Sequence, residues 1–505
     1  MTEIAATAEA MPRREVLGHP RGLATLFFTE MWERLSYYGM RALLVLFMTD
    51  QVVNGGMDLT DAKATAIYGI YTAAVYLVAL PGGWIADRLL GGQRAVFCGG
   101  IIIMSGHFVL AIPSVYAFFL GLILVVLGTG LLKPNVSAIV GEIYGPNDAR
   151  RDGGFTIFYM GINVGAFLGP LICGTLGQSP AFGWHYGFAA AGIGMLFGVI
   201  QFRLTRQHLG SAGLLPYSSG DPAKDAVARR KGWLAVAVAL AIFAIVVLLA
   251  MTGKITFDPI KLSRRTTWVI VGMAVLYFAY VLILGHLDRV EKRRVLAIIV
   301  LFIGCAMFWS GFEQAGSSLN IFADRHTQLE FGSVTLLSTW FQSLNSMFII
   351  IFAPIFAWLW LWLAKRNLNP STPAKFGFGL LLLALGFLTM VGASTIVADG
   401  GKALPTWLLF TYLFHTLGEL ALSPVGLSAT TKLAPQRFAG QMMGIWFLGT
   451  ALGNLIAGRI AGDFDPNDLR AFPAQYWQIV MTTGGTGLIL LLFTKPVKKL
   501  MGGIT

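Results

Sequence analysis

Apolar stretches recur from near Leu23 almost to the end of the chain, separated by short runs of glycine, proline and charged residues. About 20 apolar residues in a helix cross the ~30 Å hydrocarbon core of a bilayer. With turn signals added, this pattern predicts helices near 23–51, 62–89, 93–111, 114–141, 152–177 and 181–204. A pair follows near 232–252 and 266–287, then six more near 296–326, 333–365, 373–396, 404–434, 437–462 and 473–494. The reading is an all-α polytopic membrane protein with fourteen transmembrane helices, two six-helix bundles plus an inserted pair. The bundles cover 23–204 and 289–495, and the accessory pair covers 232–288. Residues 1–22 and 496–505 are terminal segments, and 205–231, containing GSAGLLPYSSGDPAKD, reads as a linker. The inserted pair has no ionisable residue between Leu234 and Leu249 or between Trp268 and Leu284, as suits helices that touch lipid.

The first helix breaks the apolar pattern. A helix turns ~100° per residue, so positions three, four, seven and eight apart share a face. Glu30, Glu33, Arg34, Tyr37 and Arg41 cluster on one stripe with Tyr38 at its edge, and Phe28, Trp32, Leu35, Leu43 and Leu46 lie opposite. A charge at that depth costs at least ~2.5 kcal/mol, which marks this stripe as the wall of a polar cavity.

Composition sharpens the class. Of 505 residues, 56% are hydrophobic and 12% charged, about half the ~25% charge of a soluble domain. The net charge of +12 is distributed as membrane topology requires and carries no nucleic-acid signature. Arg13, Arg14 and Arg21 precede the first helix, and Arg88, Arg94, Arg150, Arg151, Lys365, Arg366, Lys495, Lys498 and Lys499 follow even-numbered ones. Lysine and arginine gather on the cytoplasmic side, so both termini are expected there, facing anionic lipid headgroups. Lys254, Lys261, Arg264 and Arg265 run against the pattern. Cys98, Cys173 and Cys305 lie in apolar runs without paired spacing and read as small buried hydrophobes.

Beyond the first helix, deep ionisable residues are few: Lys133, Glu313 and Glu419. With the stripe they make three cations (Arg34, Arg41, Lys133) against four carboxylates (Glu30, Glu33, Glu313, Glu419). If they share one cavity, one carboxylate lacks a partner and is free to take a proton or a cationic ligand group. The competing reading is a set of static ion pairs that fix helix packing. Asn163 and Asn345 suit either a ligand amide or a bridge between helices. Tyr76, Tyr159, Trp309 and Trp446 suit either an aromatic wall or ordinary packing. His107 and His415 lie within spans, lack a second ligand at metal spacing and are expected to be hydrogen-bonded helix residues. No nucleotide, dinucleotide, zinc or nucleophile-elbow motif is present, so no cofactor is expected and work must come from an ion gradient.

Several stretches together resemble the proton-coupled oligopeptide transporters of the major facilitator superfamily, in particular their bacterial members. The ExxERxxYY motif is Glu30, Glu33, Arg34, Tyr37 and Tyr38, and GGWIADRLLGGQR, with Asp87 and Arg88, is similar to the superfamily's gating motif. FYxxINxG falls at Phe158, Tyr159, Ile162, Asn163 and Gly165, FEQ at Phe312, Glu313 and Gln314, and GExxLSPxG runs from Gly418 through Glu419, Ser423 and Pro424 to Gly426. The resemblance implies a non-enzymatic symporter of the inner membrane that imports di- and tripeptides with protons. It implies peptide carboxylate toward Arg41 and Lys133 beside Arg34, and ammonium toward Glu419. Glu313 and Asn345 share that opposite wall, and Tyr38, Tyr76, Tyr159, Asn163, Trp309, Ser423 and Trp446 shape the pocket. Proton coupling is expected at Glu30, Glu33, Arg34 and Glu313, with Arg41 paired to Glu313 and Lys133 to a carboxylate of the Glu30/Glu33 pair. A monomer is the working expectation.

Animal members of the family carry a coupling histidine on the second helix, whereas residues 62–89 here contain none, which leaves the task to carboxylates. The alternative function is a major facilitator carrier for nitrate or another small solute. Retention of both Glu30 and Glu33 argues against it.

Overall fold

The computed structural model describes residues 15–16, 18–144, 148, 150–218, 220–465 and 468–503. Arg13 and Arg14, with most of the segment expected before the first helix, lie outside the described residues. The first bundle comprises α1 (Gly22–Thr49), α2 (Asp61–Ile85), α3 (Gly92–Leu110), α4 (Val115–Glu142), α5 (Arg151–Gly177) and α6 (Trp184–Thr205). The accessory pair is α7 (Pro222–Met251) and α8 (Pro259–Leu284). The second bundle comprises α9 (Arg289–Phe312), α10 (Ser318–His326), α11 (Ser343–Lys365), α12 (Thr372–Ala398), α13 (Pro405–Leu433), α14 (Ala439–Gly462), α15 (Phe472–Leu492) and α16 (Thr494–Leu500).

Among the described residues, twelve helices are long and apolar enough to cross a membrane, and α15 with α16, bent by 66°, makes a thirteenth. The remaining crossing is α1, whose Glu30, Glu33, Arg34 and Arg41 disqualify it by composition. At 28 residues it is nevertheless ~42 Å long, and it is sheathed by α5 and α6.

Three helices start earlier than hydropathy suggests. α7 begins at Pro222, α8 at Pro259 and α9 at Arg289, whereas the apolar runs begin near 232, 266 and 296. Each charged first turn is held by an aspartate cap. The Asp221 side chain accepts from the amides of Ala223 and Lys224, and Asp258 accepts from those of Ile260 and Lys261. Asp288 forms a reciprocal capping box with Glu291. Proline at the first helical position lacks the amide that would be orphaned there anyway. Much of the supposed linker is therefore the start of α7. The rest, through Tyr217, is pinned to the first bundle: the Gly213 amide donates to Glu142 at 2.7 Å, and Gln93 Nε2 to the Ala212 carbonyl at 2.7 Å.

The single helix expected over 296–326 is broken. α9 ends at Phe312, a 3₁₀ turn covers Glu313–Gly316, and α10 continues. At the break, a Cβ on Gly316 would lie 1.9 Å from the Tyr68 hydroxyl of α2, so only glycine fits. The span expected over 333–365 is likewise subdivided. A hairpin pairs Glu330–Phe331 with Val334–Thr335, a 3₁₀ turn covers Ser338–Gln342, and α11 starts at Ser343.

The bundles meet along α2 and α14, and again between α5 and α11. Asp61 on α2 receives Arg325 on α10 in a two-pronged pair, at 2.7 and 2.9 Å. Gln178 Nε2 donates to Ser338 Oγ at 2.8 Å, and Ser343 Oγ donates to the Phe167 carbonyl at 2.7 Å. These bonds all lie on the half of the molecule away from the termini. Toward the terminal side, Tyr159 and Met160 of α5 and most of α11 beyond Ile350 are exposed. The cross-bundle hydrogen bonds named here are thus gathered on one face, while toward the other face α2 and α14 stay packed, with Gly444 against Leu80. Charge-reversal at one end, Asp61→Arg, should free the tied face, and adding Arg325→Asp should restore it. Nitroxide labels at the exposed positions Val53 and Lys402 should report a longer distance population in the single variant and the wild-type one in the double variant.

Candidate functional site

Three clusters of charge occupy the core of the seam. In the first, Arg34 Nε lies 3.3 Å from Glu30 Oε1 and also pairs with Glu33 Oε2, all three residues being buried. Glu30 and Arg34, four positions apart on α1, share a helical face, and Glu33 reaches the same guanidinium from the adjacent position. The guanidinium stands over the Tyr37 ring at 5.0 Å.

The second cluster joins the bundles. Arg41 Nη2 lies 2.5 Å from Glu313 Oε2, and Arg41 Nε donates to the Tyr68 hydroxyl at 2.5 Å. The break after α9 matters here, because it sets Glu313 in a turn facing α1 rather than within a continuous helix. Tyr38 covers the guanidinium, 5.5 Å from its ring centroid.

The third cluster is unpaired charge. Glu419 on α13 accepts from Asn345 Nδ2 of α11 at 3.0 Å, and among the described residues no cation lies within ion-pair distance. Asn345 Nδ2 also reaches Thr416 Oγ1 at 3.0 Å. Across the seam, Lys133 on α4 has its ammonium 4.4 Å from the centroid of Tyr76 and, among the described residues, no carboxylate within 4.0 Å. The expected contact between Lys133 and the Glu30/Glu33 pair is therefore not made. Arg34 occupies both carboxylates first, because it shares their helix.

Between the clusters is a cavity of about 140 Å³. Tyr38, Arg41, Tyr76, Tyr159 and Asn163 line it from the first bundle, and Trp309, Glu313, Asn345 and Glu419 from the second. Asn163 Nδ2 is spent on the Tyr159 carbonyl at 2.9 Å, which leaves its oxygen for the cavity. Glu30, Glu33, Arg34 and Lys133 stand behind this lining. Trp446 is packed into the second bundle's core, 6.3 Å from Phe376, and neither it nor Ser423 lines the cavity.

Gln342, Ser346 and Tyr412 also line the cavity, although sequence reasoning did not single them out. A signal existed for two of them. Gln342 precedes Asn345 by three residues and Tyr412 precedes Glu419 by seven, both spacings that share a helical face. Among the described residues, Gln342 Nε2 is buried without a partner.

Asp87 and Arg88 lie away from the cavity, in a π-helical extension of α2 over Ala86–Leu90. The Asp87 carbonyl accepts from the Tyr217 amide at 2.7 Å, and Arg88 stands 4.7 Å from the Tyr217 ring. His107 departs from expectation, since among the described residues neither of its ring nitrogens has a hydrogen-bond partner, whereas the His415 ring bonds to the backbone of Leu383 on α12 and leaves Nε2 without one.

A model of the POT family matches residues 93–477. The chain is 45% identical over 503 residues to an uncharacterized transporter of Bacillus subtilis (strain 168), covering 98% of each. It is 40% identical over 499 residues to the peptide transporter YePEPT of Yersinia enterocolitica, covering 97% of this chain and 96% of that one. It superposes with a TM-score of 0.89 on the crystal structure of a peptide transporter POT in complex with sulfate, 43% identical, covering 97% of this chain and 98% of the other. Family match, near full-length relatives and shared fold agree: this chain belongs to the POT family of membrane transporters.

Proposed function

We propose that this protein is a proton-coupled symporter that imports di- and tripeptides across the inner membrane by alternating access, with both termini in the cytoplasm. The observation that carries the reading is a pair of opposite charges without an ionic partner among the described residues, Glu419 in the cavity lining of one bundle and Lys133 of the other, beside the lining residue Tyr76. They complement a zwitterion whose two ends are a few ångströms apart. An extended chain advances ~3.3–3.6 Å per residue, so only short peptides bring both ends within one central cavity. The relatives named as peptide transporters support the same substrate class.

The substrate's carboxylate turns to Lys133 and Arg41, and its ammonium to Glu419 and Asn345. Main-chain contacts leave the side chains loosely held, and broad specificity follows. A cavity of about 140 Å³ is smaller than the ~300–1,000 Å³ of ordinary small-molecule sites, so the seam opens further to accept a tripeptide.

Coupling follows from the Arg41–Glu313 pair. Protonating Glu313 removes the charge that holds Arg41 and frees the guanidinium for the peptide carboxylate. The Glu30/Glu33–Arg34 cluster is the second proton site. Uptake of labelled dialanine into liposomes, with and without an inward proton gradient, tests the reading. Uptake that ignores the gradient removes the coupling, and nitrate uptake in place of dialanine removes the substrate assignment.

A further inference from the structure

Glu33, Tyr37 and Arg41 succeed one another at four-residue intervals on α1, so each step advances ~6 Å and the outer two stand ~12 Å apart along the axis. That is too far for a proton to pass directly along a hydrogen bond. α2 runs alongside in the opposite direction. Its Tyr68 meets Arg41, and its Tyr71, one turn further on, lies beside Tyr37 with ring centroids 6.4 Å apart. Tyr71 is 4% exposed and, among the described residues, its hydroxyl has no hydrogen-bond partner.

On the neighbouring rung, Glu30 Oε2, Glu33 Oε1 and Arg34 Nη2 are also buried and, among the described residues, unpartnered. A buried polar atom left unsatisfied costs about 1–3 kcal/mol, and several together mark a place that suits bound water. The titratable groups facing Tyr71 are Glu33, Tyr37 and Arg41 from α1 and Tyr68 from its own helix. Histidine is absent from α2, so hydroxyls are the groups on this helix that can hand a proton across the gap.

We propose that the Tyr71 hydroxyl, with intervening water, relays protons between the Glu30/Glu33 carboxyl pair and Glu313. The inference rests on the proton-coupled reading above. A proton leaves the acid pair for water and binds Tyr71 Oη, while the phenol's own proton departs on the far side toward the Tyr68–Arg41 rung. It ends on the Glu313 carboxylate. Tyr71 begins and ends neutral, the acid pair is left ionised against Arg34, and Glu313 is left neutral and releases Arg41. No net charge is created or lost.

Tyr71→Phe removes the hydroxyl and keeps the ring. A positioned proton-transfer group contributes ~10²–10⁴-fold, so gradient-driven dialanine uptake should fall at least ~10-fold. Peptide-for-peptide counterflow, which needs no net proton movement, should stay within about twofold, since no peptide contact is lost. The pH profile of driven uptake should change while that of counterflow does not. Taking the ratio of driven uptake to counterflow in the same vesicles cancels any loss of folded protein. An unchanged ratio overturns the relay, whether both activities persist or both fall together, the latter being the mark of a packing role. If the wild-type protein ignores the gradient, the coupling itself fails; if only the variant's ratio is normal, the relay alone fails.

Discussion

Glu313→Gln should abolish gradient-driven peptide uptake, by ~100-fold or more, while leaving peptide counterflow measurable. Glutamine matches the shape of a protonated glutamate and cannot lose a proton, so the variant is held in one of the two states between which the wild type cycles. In the ionised state, Glu313 and Arg41 form a buried pair at 2.5 Å that binds the two bundles together. Breaking such a pair by removing one charge costs about 3–5 kcal/mol, because the remaining charge is stranded. On the proposed mechanism, the stranded Arg41 would gain a new partner in the substrate carboxylate, so the loss would become a driving force for peptide binding. Counterflow exchanges peptide on both sides without resetting that bond, and therefore survives. Uptake that keeps its gradient dependence in the variant would refute the assignment of Glu313.

The second large effect belongs to Glu419. Truncating one partner of a buried, hydrogen-bonded charge pair costs about 2–5 kcal/mol, and every ~1.4 kcal/mol is tenfold in affinity. Glu419→Gln should therefore weaken dialanine binding by at least ~30-fold. The same substitution should change the affinity of N-acetylated dialanine, which has no ammonium, by less than about threefold. Asn345 would keep a hydrogen-bond partner in the glutamine, so the loss reports charge rather than local collapse. Equal weakening of both ligands, measured by titration of the purified protein, would remove Glu419 as the ammonium site.

Both expectations concern residues that stood out in the sequence for the same reason: an ionised side chain in an apolar run is expensive, so its position is informative. The stripe on α1 was legible because Glu30, Glu33, Arg34 and Arg41 belong to a single helix whose period fixes their common face. Tyr68 was not legible. Its importance comes from packing against the break at Gly316, far away in sequence, and from a bond to Arg41 on the preceding helix, both contacts between separate elements. Trp446 illustrates the opposite case, since an aromatic residue on a cavity-bearing bundle can face inward or into the core. Here Gly426 leaves room for it beside Phe376.

Helix starts show where hydropathy loses information. The Asp-Pro steps at 221–222 and 258–259 begin helices whose first turns are charged, so an apolar window sees the helix only after it has entered the bilayer. Capping chemistry would have located them.

Local order along the chain was enough to specify a membrane-spanning helical protein, its inserted pair, and the short list of charges that matter, because each depends on hydrophobicity and period within one segment. Pairing was decided only in three dimensions. Arg34 takes both acids of its own helix, Arg41 crosses the seam to a turn that interrupts the α9–α10 span, and among the described residues Lys133 and Glu419 have no ionic partner. Which charge finds which partner depends on distances between helices, and no periodicity within a single helix encodes those.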